Sequence, residues 1–280
     1  MTSVVAIINW NSGQWLRPCI ESLLAVATGT EILVIDNASD DDSIESVQGF
    51  RNRVTFIRNS VNRGFAAAVN QAFHESSSPY VLILNPDIRV LPGAIDLLED
   101  FMNAHPRAGA TGGHVNEKYL PRTFPTVTSL VRDNLGFPRK LPPPSTREGS
   151  LTVEQPAAAA LMIRREAYES IGGFDEQFHP AWYEDVDFCR RLKSDGWEIY
   201  FMPRAEFIHA GGYSAGAMGN ENFLRAYYTN QVRYARKYFG LIGAAIVRVS
   251  IAAGMLGRMI GKPKQAAAYG KAFIGALGRW

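Results

Sequence analysis

Over its first 113 residues this chain alternates short, β-branched apolar runs with stretches of helical periodicity, and that alternation restricts its fold more than any other feature. Residues 4–9, 31–36, 54–59, 80–85 and 108–113 predict strands, with helices between them at 14–27, 43–50, 66–76 and 93–104. Strands that are apolar throughout bury both faces, and a helix after each strand favours parallel pairing. The expected fold class is therefore α/β, a mainly parallel central sheet flanked by helices. Such sheets bind ligands beyond the carboxyl ends of their strands, which is where Asn9, Asp36, Asn59 and Asn85 fall.

The pattern dissolves from about residue 114 to 156. Seven of the 15 prolines lie between Pro121 and Pro156, including Pro142-Pro143-Pro144. A stretch this long without periodicity predicts a functional flap or a mobile insertion. A strand is expected at 157–164, a helix at 166–171 and another strand at 198–202, within a segment, 172–214, dense in Gly, aromatic and acidic residues. Two regions follow: a body over 1–220 and a basic, apolar helical appendage over 221–280. An apolar fraction of 46% and a charged fraction of 20% exclude a disordered or fibrous chain. Two cysteines, Cys19 and Cys189, build neither a disulfide framework nor a zinc site, and reduced thiols in the cytoplasm are expected. Residues 2–8 run directly into a strand with no basic leader, which again predicts a cytoplasmic body.

The net charge of +2 conceals an asymmetry. After Glu221 there are ten Lys and Arg and no Asp or Glu, so the tail carries +10 and the body −8. If residues 233–262 form one helix, Arg233, Lys237, Arg248, Arg258 and Lys262 share an arc of roughly 80°. A basic stripe beside an apolar face suits a helix lying on anionic lipid, at the inner face of the cell membrane. Arg248 and Arg258 interrupt the apolar run 241–260 and disfavour a true span. A helix packed on the body is the plainer alternative. No nucleic-acid-binding module is visible, so no nucleic-acid partner is expected.

Several residue groups can carry chemistry, each with a bland reading beside it. Asp36, just past a strand, can accept from a pyrimidine ring or cap a turn. Asn62-Arg63-Gly64-Phe65-Ala66 opens a helix with Asn70 inside it, and a helix N-terminus suits a phosphate or simply starts a helix. Asn85-Pro86-Asp87 can hold a divalent cation against a diphosphate or form an ordinary turn. The acids Glu184, Asp185 and Asp187 raise at least one pKa among them, giving a general base, or merely begin a helix. Arg190 and Arg191 can pair with those acids or neutralise phosphates. His209, in a glycine-rich stretch 209–214, is a lone histidine and so structural by default.

Taken in order, Ile8-Asn9-Trp10-Asn11, Val34-Ile35-Asp36-Asn37-Ala38-Ser39, Asn62-Arg63-Gly64-Phe65, Leu84-Asn85-Pro86-Asp87, Gly172-Gly173-Phe174-Asp175, Glu184-Asp185-Val186-Asp187 and His209 closely resemble the family-two glycosyltransferases of GT-A fold, in particular the bacterial rhamnosyltransferase-type members. The resemblance spans roughly residues 4–239. It implies a nucleoside-diphosphate sugar donor, with dTDP-rhamnose favoured, and a glycan or polyprenyl-linked acceptor. Asp36 would bind the pyrimidine, with Asn9, Asn62, Gly64, Asn70 and Asn85 shaping the nucleotide pocket and Arg190 near the phosphates. Asp87 and His209 would hold Mg2+ or Mn2+. Asp185 would be the general base, with Glu184 beside it, in one inverting displacement. Asn85 replaces the first acid of the family's Asp-X-Asp element, which implies a weaker metal site. Competing readings are a transferase using a UDP-linked hexose, N-acetylhexosamine or galactofuranose, and a nucleotide-binding scaffold without catalysis. A sugar-1-phosphate nucleotidyltransferase would need a Gly- and Arg-rich loop after the first strand, which Asn9-Trp10-Asn11-Ser12-Gly13 does not provide.

Overall fold

The computed structural model describes residues 3–27, 29–137, 149–209, 216 and 218–277. Pro142-Pro143-Pro144, the glycine-rich residues after His209 and Arg279 lie outside the described residues.

Among the described residues nine strands form the sheet: β1 (Ser3–Asn9), β2 (Glu31–Asp36), β3 (Thr55–Arg58), β4 (Tyr80–Leu84), β5 (Ile88–Val90), β6 (Ala108–His114), β7 (Leu151–Thr152), β8 (Ala160–Arg164) and β9 (Glu198–His209). Their order is β3-β2-β1-β4-β8-β6-β9-β5, with β7 also on β9. The half built by the first four strands is wholly parallel, as the alternation predicts. Beyond it, β8 runs antiparallel between β4 and β6, and β5 and β7 run antiparallel on β9. β6 and β9 keep the direction of the first four, so six strands still point one way.

Alternating side chains explain why the strands read as continuously apolar. Val5 and Ile7 of β1 enter a core beneath α1 (Leu16–Val26) and α3 (Ala94–Ala104), whereas Val4, Ala6 and Ile8 enter one beneath α2 (Phe65–His74), α5 (Arg165–Ser170) and α6 (Glu184–Ser194). Each face is covered, so neither can be polar.

A third core joins α4 (Val127–Asn134), α7 (Asn220–Gly261) and α8 (Ala266–Leu277) to Phe178, Tyr183 and Val186 of the body. Helix α4 corrects the reading of residues 114–156 as patternless. It is only eight residues long, but Thr126 and Ser129 close a capping box at its start, and Leu130 is buried against the C-terminal helices. Eight residues give too few turns for periodicity to show.

The first half of α7 is bound to α6 through Asp187. This carboxylate has no exposed surface and accepts from Arg191 Nε (2.7 Å), Lys237 Nζ (2.6 Å) and Tyr238 Oη (2.7 Å). Lys237 also reaches Asp175 at 2.7 Å. The contact with Asp187 and Lys237 holds Tyr238 and Asp175 in opposite senses: burial and the Asp187 carboxylate raise the Tyr238 phenol, while Lys237 keeps Asp175 below its usual range against the opposing effect of burial.

The expected basic arc over 233–262 is not an outward stripe. Gly240 takes φ 67°, ψ −168° and breaks α7 into two helical halves, a conformation that glycine adopts without steric cost. Arg233 donates to Asn230 Oδ1, Lys237 to the two aspartates, Arg258 Nη1 to Asn134 O (2.8 Å) and Arg248 Nη1 to Ala276 O (3.4 Å). Asn134 and Ala276 lie in the last turns of α4 and α8, where carbonyls lack helical partners and the dipole favours cations. Two of the arginines therefore serve helix ends rather than solvent. Gly254 allows the approach, because a β-carbon there would collide with the Asn134 carbonyl.

Asp187→Ala leaves Lys237 and Arg191 without their shared carboxylate and should lower unfolding free energy by about 3 kcal/mol. Urea denaturation measures this; a loss within the range of exposed pairs, under about 1 kcal/mol, would refute the role given to Asp187.

Candidate active site

The carboxyl ends of β1 and β2 carry a closed polar network. Asn9 and Asp36 are register partners, and both are fully buried. Asp36 accepts from Asn9 Nδ2 (2.9 Å), Ser39 Oγ (2.6 Å) and Arg58 Nε (3.2 Å). Arg58 is half-exposed and covers the carboxylate from outside. Beside it, Asn37 joins β2 to the turn before α2: its Nδ2 donates to Asn62 Oδ1 (3.0 Å) and Gly64 O (3.1 Å), and its Oδ1 accepts from Asn59 Nδ2 and Arg63 N. Gly64 (φ 86°) sits where a β-carbon would strike the His179 ring and the Pro180 carbonyl. Phe65 N donates to that same carbonyl at 2.7 Å.

A cavity of about 390 Å3 opens next to this network, a size suited to a small ligand. Asn85, Asp87, Glu184, Asp185 and His209 all line it, drawn together from the β4–β5 turn, the start of α6 and the end of β9. Asn9, Asp36, Asn62, Gly64, Asn70 and Arg190 do not line it. Asn70 spends both ends of its amide on the body: Nδ2 donates to Phe174 O and Glu176 Oε1, and Oδ1 accepts from Phe174 N and Tyr168 Oη. Arg190 lies in an aromatic cage, 4.2 Å from the centre of the Tyr238 ring, and donates to Tyr234 Oη at 2.8 Å. Its stacking contacts with α7 use the cation that the sequence had offered to phosphate.

The acidic pair at the head of α6 is held by an unusual turn. Trp182 and Tyr183 both take left-handed backbone angles, φ 75° and 73°. Residues of this kind pay for such angles, and surrounding contacts must hold them there. Asn230 Nδ2 of α7 donates to Ala181 O (2.8 Å) and His179 O (3.3 Å), and Gln231 Nε2 to Tyr183 Oη (2.9 Å). Asn230 and Gln231 are themselves buried.

The turn delivers Glu184 and Asp185 to the cavity in different surroundings. Burial, reinforced by the Asp185 charge, pushes Glu184 well above the ordinary carboxylate range, and its Oε2 has no partner among the described residues. Burial raises Asp185 too, while hydrogen bonds from backbone N–H groups and the Arg122 guanidinium hold it down. Burial thus favours the protonated form of both, and more strongly for Glu184, while Asp185 has the backbone and Arg122 contacts that favour its ionised form.

Asp87 and His209 form the second polar centre. Their side chains are 5% and 3% exposed, with Nε2 and Oδ1 3.4 Å apart. Burial lowers the His209 pKa, opposed by Asp87 and aided by Lys118, so the ring is neutral at pH 7 and keeps a lone pair for a cation. Its Nδ1 has no partner among the described residues. Among the described residues no set of three or more His, Cys, Asp or Glu gathers in one place. A carboxylate and a neutral imidazole fit a divalent cation that draws its remaining ligands from a bound diphosphate.

Sequence reasoning missed Arg122, Asp133 and Tyr119, which also line the cavity. All three lie in the Pro-rich stretch, and only a charged side chain within it offered any signal.

Comparison with known proteins identifies the family. The family model for glycosyl transferase family 2 matches residues 4–172, and that for the N-terminal domain of galactosyltransferase matches 149–215. The chain is 30% identical over 245 residues to an N-acetylglucosaminyl-diphospho-decaprenol L-rhamnosyltransferase of Mycobacterium tuberculosis, covering 77% of this chain and 79% of that one. Mannosyltransferase PcManGT from Pyrobaculum calidifontis, solved with GDP-Man and Mn2+, superposes with a TM-score of 0.60 at 15% identity, over 99% of this chain and 87% of that one. GalNAc-T7, solved with UDP, GalNAc and Mn2+, gives 0.63 at 15% identity over 86% of this chain and 51% of that longer one. At such identities the solved structures speak for the fold alone. The parallel half-sheet, the polar strand ends, the acidic head of α6 and the family match lead to one conclusion: the chain belongs to glycosyl transferase family 2.

Proposed function

We propose that this chain moves a sugar, by direct inverting displacement, from a nucleoside-diphosphate donor to a polyprenyl-linked glycan acceptor. The observation that carries this reading is a single cavity holding a raised carboxylate, Asp185, together with the Asp87–His209 pair. The resemblance to a decaprenol-linked rhamnosyltransferase favours rhamnose on dTDP as the donor and a membrane-borne diphosphate-linked glycan as the acceptor. It also favours a protein working at the cytoplasmic face of the membrane.

Each residue group then has a task. Asp185 takes the proton from the acceptor hydroxyl as that oxygen attacks the anomeric carbon from the face opposite the diphosphate. Protonated Glu184 donates a hydrogen bond to a sugar oxygen. Arg122 favours the ionised form of Asp185 against the effect of burial and offers charge to the phosphates. Asp87 and His209 would hold Mg2+ or Mn2+, whose chemistry when bound is to neutralise the charge that grows on the leaving diphosphate. Mn2+, present together with UDP or GDP-Man in two solved fold neighbours, supports that choice. The pyrimidine lies at the ends of β1 and β2, where displacement of the Arg58 side chain would open Asp36 to the ring.

Four results are expected. Asp185→Asn should lower kcat by about 10²–10⁴-fold while nucleotide binding, read by calorimetry, is unchanged; a normal rate would remove Asp185 as the base. Because the base must be ionised, the rate should fall as pH drops through a raised Asp185 pKa, above the ordinary value of about 3.9. Arg122→Gln removes a charge that lowers this pKa and should move the acid limb to higher pH; an unmoved limb in the pH–rate profile would count against the pairing. Manganese should tighten dTDP or UDP binding to the wild type but not to Asp87→Ala. Equal tightening in both would place the cation elsewhere, and no nucleotide binding at all would sink the transferase reading.

A further inference from the structure

The second half of α7 presents an apolar face to the outside. Ile242, Ile246, Val249, Leu256 and Ile260 are 79%, 47%, 68%, 46% and 85% exposed. With exposed Ala253, their spacing of four, three, four, three and four residues sets them in one line along the helix. Its opposite side, with Val247, Ile251 and Met255, is fully buried in the third core. Ile274 and Leu277 of α8 add 69% and 65% exposed apolar surface. Isolated exposed leucines are ordinary, but a continuous line of them is not.

We propose that this line lies in the headgroup–acyl boundary of a lipid bilayer, with the second half of α7 parallel to the membrane plane. The proposal builds on the polyprenyl-linked acceptor reading above, and it moves the membrane contact from the basic residues to the apolar ones.

Three observations select lipid as the occupant. First, the charge carried by the second half of α7 and by α8 is of one sign. No Asp or Glu follows Glu221, and Lys262 and Lys264 are exposed where the helix ends, at headgroup level. A second copy would bring these cations together with its own. Second, the geometry fits lying on the membrane rather than crossing it. An 18-residue window within α7 is apolar enough to span, yet 44% of it is buried inside the protein. Arg258 and Ser250 bind it to α4, and its partner α8 has 12 residues where a span needs about 20. Third, the line adjoins the active cavity. Asp133 of α4 lines the cavity, while the next residue, Asn134, bonds Ser250 (2.9 Å) and Arg258 (2.8 Å) of α7. One short helix thus separates the apolar line from the place where an acceptor anchored in the bilayer must deliver its sugar.

The test uses the full chain in co-sedimentation with vesicles of phosphatidylcholine alone and mixed with phosphatidylglycerol, at low and high salt. The wild type should bind both, with binding to neutral vesicles surviving high salt. Ile246→Asp combined with Val249→Asp should weaken it at least about tenfold, since two apolar side chains leave the boundary for water. Nucleotide binding, and transfer to a soluble acceptor lacking the prenyl chain, should be unchanged in this variant, which shows that it folds. A second variant, Ile242→Asp with Ile260→Asp, should repeat the loss. Binding only to anionic vesicles, abolished by salt and indifferent to these substitutions, would overturn the proposal. So would a wild-type dimer in solution that ignores vesicles and is dissolved by the same changes. If the wild type binds neutral vesicles yet transfers to no acceptor, the surface stands and the transfer reading falls.

Discussion

The long helix that braces the cavity's acid pair is anchored by the buried carboxylate of Asp187. Three donors converge on it, two of them from α7, and the Coulombic attraction in that dry setting fixes one long helix against another. Two turns earlier on α7, Asn230 and Gln231 hold the chain that leads to Glu184 and Asp185. The acid pair is therefore placed by a helix that contributes no group known to line the cavity except Tyr227. Removing a partner from such a site costs more than the pair itself contributes, because the remaining charge stays buried.

Much of this was open to a reader of the sequence, for a physical reason. Buried strands must be apolar on both faces, so β1, β2 and β4 stand out as runs, and helices between them imply parallel pairing. The family motifs likewise lie at turns, where residue type is restricted. What could not be read was pairing at a distance. β8 is as apolar as a parallel strand, and nothing in Ala160–Arg164 says that it runs the other way. Helix α4 is too short for a period. Arg190, Arg248 and Arg258 look solvent-seeking until their partners are seen, because an aromatic face or a spare carbonyl at a helix end has no mark in the sequence.

The same limit applies within the site. Asp87, Asp185 and His209 meet although 98 residues part the first two and 24 the last two, and only the fold brings them together. Asn70 illustrates the reverse. As a polar residue inside an apolar helix it draws attention, yet its amide is consumed in holding the Phe174 backbone. A buried polar side chain must be satisfied, and satisfaction by the protein is as common a reason for its presence as satisfaction by a ligand.

The left-handed angles at Trp182 and Tyr183 have a consequence for how such a chain can be recombined. Strained residues of this kind cost of order 1–3 kcal/mol each, and here the compensation comes from α7 rather than from the strands that carry the turn. The C-terminal helix is thus no exchangeable module. A hybrid that joined this body to another relative's tail would keep its sheet and its polar strand ends, but the turn would relax and the acids would withdraw. Crossovers that preserve function should fall before the Gly172-Gly173 segment or after Tyr238, since Asn230, Gln231, Lys237 and Tyr238 tie α7 to the turn, to Asp175 and to Asp187.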